Sequence, residues 1–155
     1  ERCGRGFSLG VRLSPERFGQ RTAEIRDLAA ALLSDNRLDY LDMSLWDLTK
    51  PAHDEEFEGQ SLLEIFTQLP REGVALGAAG KLYSAAQCQS AIDQGLDFVM
   101  VGRGGILHHD FPQRALADPE FVMADLPVTR EHLQQERLGP PFIDYMASWK
   151  GFVAD

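Results

Sequence analysis

Apolar positions along the chain fall into two alternating patterns: short continuous runs of strand length, and stretches where they recur every three to four residues. The first run, residues 7–13, reads as a buried strand, and Pro15 cannot continue a central one. A helix follows over 22–33, where Ile25, Leu28, Ala29, Leu32 and Leu33 line one face and Asp35 and Asn36 end it. The second strand is expected at 38–45. Residues 46–60 form a long polar, acidic loop containing Pro51 and Gly59, of a length associated with function or mobility. Ser61 and Glu64 have capping-box spacing ahead of Leu62, Leu63, Ile65, Phe66 and Leu69, and Pro70 closes that helix. A third strand over 74–78 ends in Gly77-Ala78-Ala79-Gly80-Lys81. Ser84 and Gln87 repeat the capping pattern, Cys88, Ala91 and Ile92 face inward, and Gly95 suits the left-handed position after a helix. The fourth strand, 98–101, is continuously apolar, as burial on both faces requires, and runs into Gly102-Arg103-Gly104-Gly105.

The pattern predicts an α/β fold of four β/α units, at about 7–35, 38–70, 74–95 and 98–125. Beyond them lie a proline-rich stretch, a helix over 131–137 capped by Thr129, and a tail with Phe142, Tyr145, Trp149 and Phe152. At 155 residues, 44% hydrophobic and 25% charged, the chain is sized for one soluble globular domain. It begins at Glu1 with a strand-like run by Phe7, which reads as a fragment. A net charge of −9 argues against nucleic acid, whose phosphates need Lys and Arg. No run approaches the roughly 20 apolar residues of a membrane span, and no signal pattern opens the chain, so a cytoplasmic location is expected. Cys3 and Cys88 lack zinc spacing and form no disulfide framework, so they read as a free thiol and a core residue.

In parallel α/β folds the chemistry sits at the carboxyl ends of strands, where both glycine-rich turns fall. Glycine lets backbone approach a phosphate, and Arg103 adds a planar fork of donors; the alternative is that these glycines serve only positive φ. Leu82 stands where a P-loop needs a hydroxyl, and the segment from Gly102 departs from the dinucleotide fingerprint at Leu107. Arg12, inside an apolar strand, would face an anion or pair with a carboxylate such as Asp42. Consecutive His108, His109 and Asp110 cannot easily aim at one ion, and His53 to Glu56 lie in a solvated loop, so no metal is expected. Trp46, past the second strand, is a candidate pocket wall, with packing under its loop the alternative.

Gly10-Val11-Arg12-Leu13-Ser14-Pro15 resembles a strand motif of the old yellow enzyme family, flavin-dependent NAD(P)H oxidoreductases built on a (β/α)8 TIM barrel. Asp39-Tyr40-Leu41-Asp42-Met43-Ser44 is similar to the family's next strand, and Gly80 with Leu82 to the third. Residues 95–103, with Gly95, Asp97, Val99, Gly102 and Arg103, look like its G-x-D-x-V-x-x-G-R signature. Order and spacing agree from Gly10 to Phe121, with Ala117 to Glu120 matching the A-D-P-E motif after a longer, more polar stretch than usual. The resemblance implies the last four of eight β/α units, a half-barrel whose partner is the N-terminal half of the same barrel, in a homo-oligomer acting on a small-molecule substrate. It implies FMN as cofactor and NADH or NADPH as hydride donor, with an activated alkene or related acceptor reduced. Arg12 would contact the electron-rich N1 and O2 edge of the flavin. Gly102 and Arg103 would bind the FMN phosphate, with Ala79, Gly80 and Lys81 on its other side. The family's substrate-holding His/Asn or His/His pair and proton-donating Tyr belong to the missing half, so no catalytic residue is expected here and the fragment alone would be inactive. Two other readings remain: a sugar-phosphate barrel enzyme, which leaves Arg12 without a role, and a non-catalytic half-barrel assembly module.

Overall fold

The computed structural model describes residues 6–16, 19–35 and 37–154. Cys3 and Asn36 lie outside the described residues. The elements are β1 (Gly10–Leu13), α1 (Thr22–Leu33), β2 (Tyr40–Ser44), a 3-10 turn (Glu55–Phe57), α2 (Leu62–Thr67), β3 (Ala75–Ala79), α3 (Ala85–Asp93) and β4 (Phe98–Met100). Four more helices follow: α4 (Arg103–Leu107), α5 (Phe111–Ala117), α6 (Arg130–Gln135) and α7 (Pro140–Ala147). The chain divides into two compact units, Glu1–Lys81 with Gln89–Met100, and Leu82–Cys88 with Val101–Asp155.

In the first unit the strands form one parallel sheet in the order β1-β2-β3-β4, with helices between strands, an arrangement consistent with half of a (β/α)8 barrel. Strand residues alternate between faces. Leu41, Met43, Leu76 and Ala78 are buried on one face, and α1 packs on β2 and α2. Ile25, Ala29 and Leu33 supply the buried stripe of α1, while Leu28 is exposed. The Ser61–Glu64 capping box forms in full, because the serine hydroxyl accepts from the Glu64 N–H and the glutamate returns to the Ser61 N–H. At α3 the Ser84 hydroxyl accepts from the Gln87 N–H, but the glutamine reaches the Tyr83 N–H, one residue earlier than expected. Gly95 adopts φ 106°, the left-handed conformation expected after α3.

The expectation of burial on both faces fails. The opposite face carries Gly10, Arg12, Tyr40, Asp42, Ala75, Gly77, Phe98 and Met100 in register, and Tyr40 and Met100 keep 39% and 42% of their surface exposed. The physical reason is that right-handed β–α–β crossovers return their helices to the same side. Strand β1 is also shorter than expected, with Phe7 and Leu9 exposed ahead of it. On the open face the rings of Tyr40 and Phe98 lie where a Cβ on Gly10 or Gly77 would stand, and they meet edge to face at 5.8 Å.

The second unit packs Leu107, Val128, Leu133, Ile143, Met146 and Phe152 into its own core. Thr129 caps α6 as expected, accepting from the His132 N–H at 3.1 Å. The aromatic tail is helical: α7 buries Ile143 and Met146 while Phe142, Tyr145 and Trp149 remain exposed. Cys88 is a free, half-buried thiol. Among the described residues no helix is long and apolar enough to cross a membrane.

Candidate functional site

Parallel register sets Arg12 of β1 beside Asp42 of β2 on the open face. Arg12 Nε lies 3.3 Å from Asp42 Oδ2, and a terminal guanidinium N–H donates to Ser44 Oγ at 3.1 Å. The arginine is half exposed, whereas Asp42 retains 4% of its surface. Its Oδ1 is buried with no hydrogen-bond partner among the described residues, and the neighbouring β3 position, Gly77, offers no side chain. Burial pushes the Asp42 carboxyl above the usual carboxylate range, against the opposing pull of the Arg12 charge. An open cavity of about 600 Å³ covers the pair, lined also by Tyr40, Ala75, Phe98 and Met100. Arg12 therefore has the carboxylate partner foreseen for it, while part of its guanidinium faces the cavity.

At the carboxyl end of β3, Ala79, Gly80 and Lys81 meet the loop after β2. A Cβ on Gly80 would lie 2.6 Å from Leu48 Cδ1 and 2.9 Å from the Asp47 amide nitrogen, so close backbone approach requires glycine here. Lys81, at φ 50°, reaches Asp47 Oδ2 at 2.8 Å. The Lys81 hydrogen bond, then those of Thr49, hold Asp47 below its ordinary range despite partial burial. Trp46 adopts φ 64° and is 63% exposed, so it is not packed beneath its loop.

In the second unit, Gly102 precedes α4 and Arg103 opens it, with its guanidinium donating to the Tyr83 hydroxyl at 3.2 Å. None of Gly80, Gly102, Gly104 and Gly105 is among the positive-φ residues, so that explanation of both turns fails. Gly104 is held by sterics, because its Cβ would lie 2.7 Å from the Phe111 ring and 2.8 Å from Val101. Gly102 and Gly105 face open space, with no atom of the described residues within 4 Å of where a Cβ would stand. Asp97 of the G-x-D-x-V signature has a structural task, accepting from the Leu76 N–H at 2.8 Å and pairing with Arg71.

Two polar centres escaped the sequence reading because their members are far apart in the chain. Glu16, at φ 59°, accepts from Thr22 Oγ1, the His53 amide and Lys50 Nζ, tying the loop after β1 to the loop after β2. Burial opposes its charge, yet the Lys50, His53 and Thr22 bonds together hold it below the ordinary glutamate value. In the second unit buried Glu136 accepts from the His109 amide and lies 2.7 Å from His109 Nδ1. His108, His132 and Glu136 offer potential ligand atoms within 4.8 Å of one another. However, His108 Nε2 accepts from the Ala124 N–H at 2.8 Å, which puts the imidazole proton on Nδ1 and leaves no lone pair for a metal.

No family model matches the chain. It is similar to the probable NADH-dependent flavin oxidoreductase YqiG of Bacillus subtilis (strain 168), 32% identical over 100 residues, covering 63% of this chain and 27% of that protein. It is also similar to NADH:acrylate oxidoreductase of Vibrio harveyi, 28% identical over 152 residues, covering 90% of this chain and 14% of that protein. The chain thus spans 27% and 14% of the lengths of these curated relatives. Both are named as NADH oxidoreductases and the first as a flavin enzyme, so the similarity of this chain is to the general class of flavin oxidoreductases.

Proposed function

We propose that the chain is the C-terminal half of an FMN-dependent NAD(P)H oxidoreductase of the old yellow enzyme family. In this reading its four β/α units complete a TIM barrel with the N-terminal half of the same barrel, in a cytoplasmic homo-oligomer. The observation that carries the reading is Arg12, a half-exposed cation on an open face of a parallel sheet, in a cavity with aromatic and apolar walls. The similarity to NADH-dependent oxidoreductases supports it.

The residues present fit a flavin nucleotide. Arg12 offers a fixed charge to the electron-rich N1 and O2 edge, anchored from behind by Asp42 and Ser44. Gly102 and Gly105 leave their backbone open to close approach, and Arg103 supplies a planar donor set to a phosphate. The family resemblance also assigns Ala79, Gly80 and Lys81 to the phosphate, and Trp46 is the proposed wall of the substrate pocket. When bound, FMN would carry hydride from NADH or NADPH to an activated alkene or related acceptor. The protein's own contribution is orientation and electrostatics.

Reconstitution of the full-length protein with FMN, followed by titration and stopped-flow reduction, tests the reading. Arg103→Ala should weaken FMN binding by about tenfold to a hundredfold, the worth of a charge-assisted hydrogen bond. Arg12→Ala should change binding only a few-fold and mainly slow reduction. Equal effects of both variants in both assays would refute this division of roles. Absence of a flavin absorbance band after reconstitution would refute the function itself.

A further inference from the structure

The Arg12–Asp42 pair is unequal, because the guanidinium faces an open cavity while the carboxylate behind it is nearly sealed and has one oxygen unsatisfied. We propose that Asp42 is a proton-holding partner of Arg12: when negative charge is brought against the guanidinium from the cavity side, the Asp42 carboxylate takes one proton from solvent. The step breaks no covalent bond in the ligand and moves no electrons in the protein; one proton passes from hydronium or a buffer acid, which is left as water or the conjugate base, to a carboxylate oxygen. Identifying that negative charge with the flavin edge rests on the function proposed above, and Asp42 acts through Arg12 as a positioning residue.

The geometry supplies the reason. A buried carboxylate stays ionised only while a cation compensates it. Among the described residues Arg12 is the charged group that faces Asp42; the adjoining positions of β3 and β4, Ala75, Gly77, Phe98 and Met100, carry no charge. On its own strand Ser44 binds the arginine, and the other titratable groups lining the cavity are Tyr40 and Asp39, the latter accepting from the Leu9 N–H. An incoming negative charge therefore shares the single guanidinium with Asp42. Burial already pushes the carboxyl above its ordinary range, and loss of the Arg12 charge that opposes this shifts it further in the same direction.

Two measurements on the full-length protein decide the matter. In flavin-free protein, removing the cation with Arg12→Gln imitates its neutralisation. Carboxyl ¹³C NMR should then show at least a tenfold rise in the proton affinity of Asp42 over the wild type, with Asp42→Asn assigning the resonance. An unchanged titration would overturn the proposal. In FMN-loaded protein, anaerobic reductive titration with a pH indicator should register one more proton per flavin in the wild type than in Asp42→Asn. A protonated-carboxyl infrared band should appear in the wild-type reduced-minus-oxidised spectrum. Equal proton counts with no such band would overturn the proposal even if Arg12→Gln failed to fold. If FMN does not bind, the proposed function falls, while the flavin-free titration still decides the role of Asp42.

Discussion

At the residue scale, the four glycines after β3 and β4 separate into those the chain itself requires and those it does not. Gly80→Ala would drive a Cβ against the Asp47 and Leu48 backbone, which cannot yield as a side-chain tip can. A loss of about 1–3 kcal/mol is expected from such overpacking. Gly105→Ala meets open space within a helix and should raise stability by up to about 1 kcal/mol. Gly102→Ala should leave urea midpoints unchanged and weaken FMN. Matched urea curves and FMN titrations check all three, and a Gly102→Ala protein with full FMN affinity would remove that glycine from the phosphate site. His108 makes a pH prediction. Burial first, then the Arg114 charge, hold it below its ordinary value of 6.5, against the pull of Glu136. The unfolded chain binds the proton more tightly, so this contribution is complete above about pH 6.5 and is lost as pH falls through the folded value. Exchange protection of the Ala124 amide should fall over that window, and His108→Leu should flatten the dependence.

At the element scale, most helices and strands were legible because their signals are local. Ser61 with Glu64, Thr129 and Gly95 act within a few residues of themselves, and their expected roles are met. The loop after β2 was legible only as a long polar segment, since what orders it comes from elsewhere: Lys50 and the His53 amide bind Glu16, and Asp54 accepts from the Ala23 N–H. Glu16→Ala removes three hydrogen bonds to a charged group and should cost about 2 kcal/mol, loosening both loops together. Glu16→Gln, which can keep the neutral donors, should cost less. Hydrogen exchange at His53 and Ala23 reads the coupling, and an effect confined to Glu16's own loop would show that the two loops are not tied. The lowered Glu16 value means this tie is complete above about pH 4.5 and weakens as pH falls through the folded value.

At the scale of the whole molecule, the open sheet face and the outer strands of the described sheet, β1 and β4, set what to expect of the 155-residue chain in solution. Apolar Tyr40, Phe98 and Met100 line that face. Produced alone, the 17.3 kDa chain should self-associate through the face and edges despite its charge of −9. Light scattering checks this, and a monomer over a wide concentration range would argue that the face needs no cover. Co-production with the preceding half of a barrel should abolish the association if the proposed partner is correct.

Pattern along the chain was enough for the alternation of β and α elements as far as β4, the parallel sheet, the Ser61 and Thr129 caps and the neighbourhood of Arg12 and Asp42 on successive strands. These follow from periodicity and short-range hydrogen bonding, which neighbouring residues settle among themselves. Packing in three dimensions leaves one sheet face open, sets Gly80 and Gly104 but not Gly102 and Gly105 against neighbouring atoms, and gives Asp42 Oδ1 no partner among the described residues. It likewise joined Glu16 to Lys50 and His109 to Glu136 across 34 and 27 residues. Such facts depend on which distant atoms come within a few ångströms, and no local pattern along the chain encodes that distance.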